Sequence, residues 1–519
     1  MGQRTRRHVL GFLACLLVVG CGGSGKVVTG ATGTAGASGS AGLGGAGGAG
    51  FVELTFPGKS NNNLDVLFVI ENASSDVQQK LAAQVEVLIE VLQSLPSGQP
   101  NLHIAVVSTD MGAPSDVAGG CSAKGDDGQF RAQPRGACTA TTLASGATFI
   151  SDVDGQKNFT DPIEKILQCI TPIGVSGCGI ASPLAAIERA LGADGQAAPV
   201  SNTGFLRPDA YLGIVIVTSE DDCSAPADTK LYSLNGGPQS LANPLGPVAK
   251  YRCNRFGHLC RDSSGATVMP PLTAPATGGS PPIVNLTTCT SNETSSGLLT
   301  PVSTFVQHIK ALKAEPDNQI VVAAITAPAD PYAVEWVPPA SAPPEASGEL
   351  WPQIMHSCGV RGGDDVNPNA TQNPVDGTFG DPGVRIAQFV HSFTNSVLGS
   401  VCDPSYANTM SAVATKVGGL IRGPCVVGHI QASPAGQPAC TVTNHLADGS
   451  GATSDTDVPN CILNGNQPPC WTLATDPTQC PSGGTSVRLT TGGAVPSGAK
   501  LSTTVKCALC PDGATLPGC

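Results

Sequence analysis

Acidic and hydroxyl side chains follow two of the most apolar segments of the chain. Glu71 and Ser75 come directly after residues 64–70, and Asp221 comes shortly after residues 211–218. Carboxylate and other oxygen ligands are those that Mg²⁺ and Ca²⁺ prefer. If the two segments are neighbouring strands, these three side chains could hold such an ion. The same acids could instead lie in solvent or cap the following helices, because Ser75 or the aspartate after it would make a good N-cap.

Acid–base catalysis is the other chemistry that these carboxylates could support. Glu71, Glu220, Asp221 and Asp222 could form an acid/base pair. The chain has no HExxH motif, no phosphate-binding Gly-x-x-x-x-Gly-Lys loop after a strand, and no Gly-x-Ser-x-Gly outside its glycine-rich N-terminal segment. We therefore expect a protein that is not an enzyme, with a metal-dependent hydrolase as a remote alternative.

The elements that position these acids are buried strands alternating with amphipathic helices. Four segments are too apolar for strands with one face in water, which indicates a doubly wound, mostly parallel α/β sheet. The predicted strands are 64–70, 103–109, 211–218 and 319–326, and the predicted helices are 77–95, 161–170, 183–191, 301–313, 385–398 and 406–421. Such sheets bind ligands beyond the carboxyl ends of their strands, which is where Glu71 and Asp221 would lie.

The stretch LDVLFVIENASSD, which contains Glu71 and Ser75, resembles the start of a von Willebrand factor A-type domain of the kind found in bacterial surface lipoproteins. In that family an Asp-x-Ser-x-Ser pattern contributes to a metal-ion-dependent adhesion site. Here the three positions are Glu71, Ala73 and Ser75, and the third loop has Ser219 where an aspartate is expected. The second loop, 172–182, lacks the expected threonine.

The resemblance implies an A-like domain over residues 51–424 with a degenerate metal site. Glu71, Ser75 and Asp221 would hold a Mg²⁺ or Ca²⁺ ion, and the ion would leave one position for a carboxylate of the partner. Two loop-rich insertions, at about 225–300 and 327–382, follow predicted strands and are expected to shape the recognition surface.

The N-terminus has the features of a lipoprotein export signal. Three arginines precede an apolar run over 9–19 that is too short to span a bilayer stably. Residues 18–21, Val-Val-Gly-Cys, resemble a bacterial lipobox, which implies a signal peptide at 1–20 and a lipidated Cys21. A secretory signal with a coincidental cysteine is the alternative. By family analogy Gly22 favours the outer membrane, facing the periplasm or the cell surface, and residues 21–50 form a Gly/Ala/Ser tether.

The C-terminal segment 425–519 is predicted to be a small disulfide-rich β module. Without Cys15 and Cys21, 18 of the 20 cysteines remain, enough for nine disulfides in an oxidising compartment. We expect disulfides at Cys121 and Cys138 and at Cys507 and Cys510; the last two could pair with each other or form separate bonds. The net charge of −12 and the lack of a basic stripe argue against nucleic acid as a partner.

The predicted function is that of a membrane-anchored envelope lipoprotein that binds an unknown protein or glycan through the strand-end loops of its A-like domain. The alternative from another class is a structural envelope protein in which that domain is only a scaffold. The binding hypothesis places the contact surface around the loop that contains Glu71.

Overall fold

The computed structural model describes residues 26–27, 50–57, 62–95, 99–113, 121–135, 138, 143–226, 229–235, 237–276, 282–339, 343–421, 425–433, 436–448, 450, 452–475, 480, 484–490, 499–510 and 518–519. The predicted signal peptide, the lipidation site Cys21 and nearly all of the tether lie outside these residues. Within them, no helix is both long enough and apolar enough to cross a membrane.

The described residues form strands and α-helices along the whole body of the chain. The strands are β1 (Lys26–Val27), β2 (Gly50–Pro57), β3 (Asn63–Ile70), β4 (Asn101–Ser108), β5 (Ile150–Val153), β6 (Gln156–Lys157), β7 (Tyr211–Val217), β8 (His258–Arg261), β9 (Thr267–Val268), β10 (Ile283–Ser291), β11 (Ile320–Thr326), β12 (Tyr332–Val337), β13 (Trp351–Ile354), β14 (Asn395–Ser400), β15 (Cys425–Val426), β16 (Cys440–Ala447), β17 (Thr453–Asp457), β18 (Cys470–Ala474), β19 (Thr485–Thr490) and β20 (Lys500–Leu509). The helices are α1 (Ser75–Ala82), α2 (Val85–Gln93), α3 (Ile163–Ile170), α4 (Pro183–Leu191), α5 (Ala249–Gly257), α6 (Val302–Lys310), α7 (Pro316–Gln319), α8 (Val384–His391) and α9 (Ala407–Ile421).

The largest sheet has seven strands in the order β14-β11-β7-β3-β4-β5-β6. Pairing is parallel from β14 through β4, and β5 and β6 are added antiparallel at one edge. The carboxyl ends of β3, β7, β11 and β14 therefore lie along one edge, which we call the carboxyl edge.

Both faces of this sheet are covered, because successive side chains of a strand point to opposite faces. Val66 and Phe68 lie in a core that includes residues of α1, α2, α3 and α9. Leu67 and Val69, one position out of phase, lie in a second core with residues of α4, α6 and α8. Two covered faces explain why residues 66–70 of β3 are all apolar instead of alternating with polar residues.

The two predicted insertions fold together into a second sheet. Strands β8, β9 and β10 come from the first insertion and β12 and β13 from the second, and they form an antiparallel sheet in the order β13-β12-β10-β8-β9. Its core contains the fully buried Trp336 and Tyr332. The sequence predicted only loops here, because strands such as β10 (IVNLTTCTS) lack the continuous apolar run that identified the parallel strands.

The N-terminal strand β2 lies in the sheet of the C-terminal module, although residue 51 was predicted to begin the α/β body. β2 pairs antiparallel with β20 over its whole length, and the sheet continues through β16 and β17. Val52 of β2 lies in one core with Val442 and Val505. The α/β body is therefore inserted between the N-terminal strands β1 and β2 of this sheet and its C-terminal strands.

The molecule is thus a mixed α/β protein with several sheets, and a mostly parallel fold is wrong as a description of the whole. Parallel pairing is confined to the seven-stranded sheet, while the two five-stranded sheets and the three-stranded sheet β15-β19-β18 are antiparallel. The antiparallel majority comes from the insertions and the C-terminal module.

Two predicted helices also differ from those observed. The predicted helix 77–95 is interrupted at Ala83 and Gln84, which separate α1 from α2. The predicted helix 385–398 ends at His391, and β14 begins at Asn395. Residues 395–400 pair with β11 at the sheet edge. This tertiary pairing decides the state of a segment whose apolar pattern suits either element.

Nine disulfides link the described residues, so the predicted disulfide-rich character is confirmed. Cys507 and Cys510 form separate bonds, to Cys440 and Cys519, and Cys121 and Cys138 bond to residues outside their own loop. The pairs are Cys121–Cys178, Cys138–Cys169, Cys223–Cys253, Cys260–Cys289, Cys358–Cys402, Cys425–Cys480, Cys440–Cys507, Cys461–Cys470 and Cys510–Cys519.

Candidate functional site

Glu71 is buried at the carboxyl edge, where its carboxylate is bound by the end of the neighbouring strand. Its backbone N–H donates to Val217 O, which continues the pairing of β3 with β7. The hydroxyl of Thr218 and the N–H and hydroxyl of Ser219 donate to the carboxylate over 2.8 to 3.0 Å. Burial, together with the nearby charge of Glu220, outweighs these bonds and raises the pKa of Glu71 to about 7.

Asp221 caps a helix instead of facing a common site with Glu71. Its two carboxylate oxygens accept hydrogen bonds from the backbone N–H groups of Arg385 and Ile386, in the first turn of α8, at 2.9 and 3.1 Å. The buried ring of His258 binds the same carboxylate at 2.8 Å. Burial alone would raise the pKa of Asp221, but the bond and charge of His258 and the helix N–H groups hold it below its usual value.

Asp222 and Ser224 cap a second helix from the same loop. Asp222 accepts from Leu184 N and Ser224 from Ala185 N, both at 3.0 Å, in the first turn of α4. The fully buried guanidinium of Arg385 donates two hydrogen bonds to Asp222, at 3.0 and 3.1 Å. The acidic run after β7 therefore joins α4, α8 and the sheet by satisfying their unpaired N–H groups.

Ser75, the third predicted metal ligand, lies apart from these contacts. It is exposed in the first turn of α1, and its hydroxyl donates to Asp76. Ser74 is the N-cap, accepting from Val77 N, so neither Ser75 nor Asp76 takes the predicted capping role.

The predicted ligand set therefore does not fit a single cation site as it stands. The oxygens of Glu71 and Asp221 already accept from separate protein donors, and the hydroxyl of Ser75 is engaged elsewhere. Among the described residues, no group of three or more His, Cys, Asp and Glu side chains is arranged to hold a metal ion. Binding of Mg²⁺ or Ca²⁺ stays a prediction.

The structure brings other charged side chains to the carboxyl edge that the sequence did not single out. Lys250, from α5, pairs with Glu220 at 2.6 Å, and His356, after β13, pairs with Asp381 at 2.6 Å. The N–H of Asp381 donates to Ser219 O, next to Glu71. Burial raises the pKa of Glu220, with Lys250 opposing the rise. Burial would lower the pKa of His356, but Asp381 raises it above its usual value.

The segment 356–381 covers this edge and is fixed at several points; we call it the edge loop. Backbone bridges join His356 to Val366 and Cys358 to Gly380. Lys80, from α1, bonds to Asp376 at 2.6 Å and to Thr378 at 3.1 Å. No local sequence pattern predicts these contacts, because their partners are up to about 300 residues apart along the chain.

Three disulfides hold segments at the carboxyl edge. Cys121–Cys178 joins the loop after β4 to the loop after α3, and Cys178 N donates to Asp110 just beyond β4. Cys223–Cys253 joins the loop after β7 to α5. Cys358–Cys402 joins the edge loop to the residues after β14. The loops that follow three parallel strands are therefore covalently fixed.

Comparison with known proteins identifies no family for this chain. No protein-family model and no curated protein matches it. Among solved structures it is weakly similar to the pilus adhesin RrgA of Streptococcus pneumoniae, at 11% identity and a TM-score of 0.25, over 89% of this chain and 59% of that one.

A second similar structure is the three N-terminal domains of the type V pili tip protein Mfa5 of Porphyromonas gingivalis. Identity is 10% and the TM-score 0.21, over 89% of this chain and 64% of that one. The chain thus spans about six tenths of each of these two structures. Likenesses with TM-scores this low do not establish a shared fold.

Proposed function

We propose that this chain is a cell-envelope adhesion protein, not an enzyme, that binds a protein or glycan through the loops at its carboxyl edge. The observation that carries the proposal is the set of three disulfides that fix the loops after β4, β7 and β14. Loops held in one conformation lose little entropy on binding, so their contacts contribute more fully to affinity. Open α/β sheets bind ligands at this same edge.

The position of the C-terminal module would turn the carboxyl edge away from an N-terminal membrane anchor. Asn318 of α7, just before β11, donates its side-chain N–H to Thr55 O of β2. The module therefore contacts the sheet near the amino ends of its parallel strands, opposite the carboxyl edge. A chain anchored through residues before β2 would present the carboxyl edge away from its attachment point.

We further propose that the chain is an outer-membrane lipoprotein with an A-like seven-stranded sheet, anchored through Cys21. The support is the lipobox-like Val-Val-Gly-Cys sequence and the β3 motif that resembles A-type domains. The weak matches to pilus proteins add nothing to this. Replacing Cys21 by serine should move the full chain from the membrane to the soluble fraction after cell lysis. A chain that stays membrane-bound would contradict lipid anchoring at this residue.

Adhesion itself is tested with cells that display the full chain. Binding to a glycan array and to immobilised envelope and matrix proteins is compared between cells with and without the chain. The edge variant Val360→Ser/Phe379→Ser removes two exposed apolar side chains from the edge loop. Its matched control is Ile462→Ser/Leu463→Ser, which removes two from the C-terminal module.

We expect the edge variant to lose adhesion and the control to keep it. Equal adhesion of both variants would place the contact elsewhere and favour the scaffold alternative. Adhesion that disappears with EDTA and returns with Mg²⁺ would support a metal-dependent version, in which the hydrogen bonds of Glu71 or Asp221 rearrange.

A further inference from the structure

The edge loop combines exposed apolar side chains with an excess of carboxylates. Val375 is 99% exposed, Phe379 52% and Val360 43%, although apolar side chains of this size are usually buried. The loop contains four aspartates and only Arg361 as a permanent cation, a formal charge of −3. The aspartates are Asp364, Asp365, Asp376 and Asp381.

The carboxylates differ in how far the protein already neutralises them. Asp376 has an ion pair with Lys80, and Asp381 has one with His356. Asp365 is exposed and shares the amide of Gln353 with Glu335, at 2.7 Å to each. These two acids therefore lie close together, and burial together with Asp365 raises the pKa of Glu335.

The pKa of His356, which lies in the edge loop, reflects the negative charge around it. Asp381, Asp365 and Glu335 each favour the protonated form of His356 and together raise its pKa despite burial. A second cation brought to this surface would be favoured for the same reason, while an added carboxylate would be repelled. Phe379 stacks on the His356 ring with 4.4 Å between centroids, so an aromatic surface lies next to the acids.

We infer that the edge loop binds a protein segment in which an arginine or lysine lies beside an apolar side chain. The cation would lie near Asp364 and Asp365, and the apolar side chain against Phe379 and Val375. Guanidinium groups bind carboxylates in a bidentate manner and also stack on aromatic rings. The charge of the partner is thus opposite to that expected if a metal ion at Glu71 recognised a carboxylate. This inference rests on the proposed function.

The rigid attachment of the loop supports a recognition role. Cys358–Cys402 and Lys80 fix the loop to the residues after β14 and to α1. The N–H of Asp381 fixes it to Ser219. The exposed side chains are therefore presented on a framework that does not need to fold when the partner binds.

The experiment uses the full chain in detergent and three labelled twelve-residue peptides, with leucine alternating with arginine, glutamate or serine. Dissociation constants are measured by fluorescence anisotropy with and without EDTA. The test variant is Asp364→Asn/Asp365→Asn; asparagine keeps the shape and tolerates the positive φ of Asp365. The control is Asp455→Asn/Asp457→Asn on the exposed strand β17, which changes the net charge equally.

We expect the arginine peptide to bind most tightly and to weaken about tenfold in the test variant but not in the control. EDTA should leave its affinity unchanged. Tighter binding of the glutamate peptide, or equal weakening in test and control variants, would overturn the inference. Either result would leave the proposed adhesion function intact if Val360→Ser/Phe379→Ser still abolishes cell adhesion. Failure of the cation-binding inference can therefore be distinguished from failure of the adhesion proposal.

Discussion

At the scale of single residues, the acids at the strand ends differ according to the donors around them. Asp221 receives two helix N–H groups and an imidazole, which favour its charged form. Glu71 receives donors from Thr218 and Ser219, but burial and Glu220 outweigh them. Two carboxylates on neighbouring loops thus have pKa values shifted in opposite directions.

Glu71 should make the stability of the protein depend on pH. Its folded pKa of about 7 lies above the ordinary 4.5, so the folded state binds more protons between these values. The stabilisation is complete below pH 4.5 and is lost as the pH rises through 7, by up to about 3 kcal/mol. Urea denaturation at pH 5 and pH 8 should show a smaller difference for Glu71→Gln than for the native chain.

The matched control for this measurement is Glu86→Gln on the exposed face of α2. It should reproduce the pH dependence of the native chain. If Glu71→Gln shows that same dependence, Glu71 does not titrate between pH 5 and pH 8.

Removing the charge of Asp221 should destabilise the fold. Asp221→Asn keeps the size of the side chain but replaces one acceptor oxygen by a donor, which faces a helix N–H at either position. We expect a loss of about 2–4 kcal/mol in the free energy of unfolding. Thermal or urea unfolding measures it, with the exposed Asp455→Asn as a control that changes stability by under about 0.5 kcal/mol. A loss as small as that of the control would contradict the capping role.

At the scale of elements, one loop holds three parts of the α/β body together. The residues after β7 bond to β3 through Ser219, to α8 through Asp221 and to α4 through Asp222. Each helix begins at the carboxyl edge, where its unpaired N–H groups meet carboxylates. The acidic composition of this loop thus has a structural cause that is independent of any ligand.

Close approach of α9 to β14 depends on a glycine. A Cβ at Gly399 would lie 2.2 Å from Thr409 Oγ1 and 3.1 Å from two carbons of the same side chain. Gly399→Ala should therefore push α9 away and cost about 1–3 kcal/mol. Gly419→Ala, within α9 but with no atom in reach of the new Cβ, should instead stabilise by about 0.5–1 kcal/mol. Chemical denaturation of both variants checks the opposite signs, and a shared sign would contradict the packing argument.

At the scale of the whole molecule, the β2–β20 pairing joins residues 50–57 to residues 500–509. Val52, in β2, contributes to a core whose other buried residues all lie beyond residue 424. A change near the N-terminus should therefore act on the C-terminal residues and leave the adjacent α/β body unaffected.

Val52→Asp tests this connection, because it buries an unpaired charge between β2 and the module core. Hydrogen–deuterium exchange should become faster in β16 and β20, and β3, β4 and β7 should keep their native protection. Glu53→Gln, at the exposed neighbouring position, should change neither region. Faster exchange in β3 before β20 would show that β2 stabilises the α/β body instead.

The sequence by itself determined the elements that local pattern controls. Largely apolar runs predicted β3, β4, β7 and β11 within one or two residues, because strands covered on both faces keep few polar positions. The 18 cysteines that remain when Cys15 and Cys21 are set aside form nine disulfides, the number that the sequence allowed. Glu71 and Asp221 were correctly placed at strand ends, since a loop must follow a strand.

Only the tertiary structure decided what those side chains do and which segments belong together. The pairing of β2 with β20, the strand β14 inside a predicted helix, and the capping of α8 by Asp221 all join residues far apart along the chain. Local periodicity carries no information about such partners. A carboxylate is a metal ligand, a cap or a buried acid according to the donors that the fold brings to it, and those donors come from other elements.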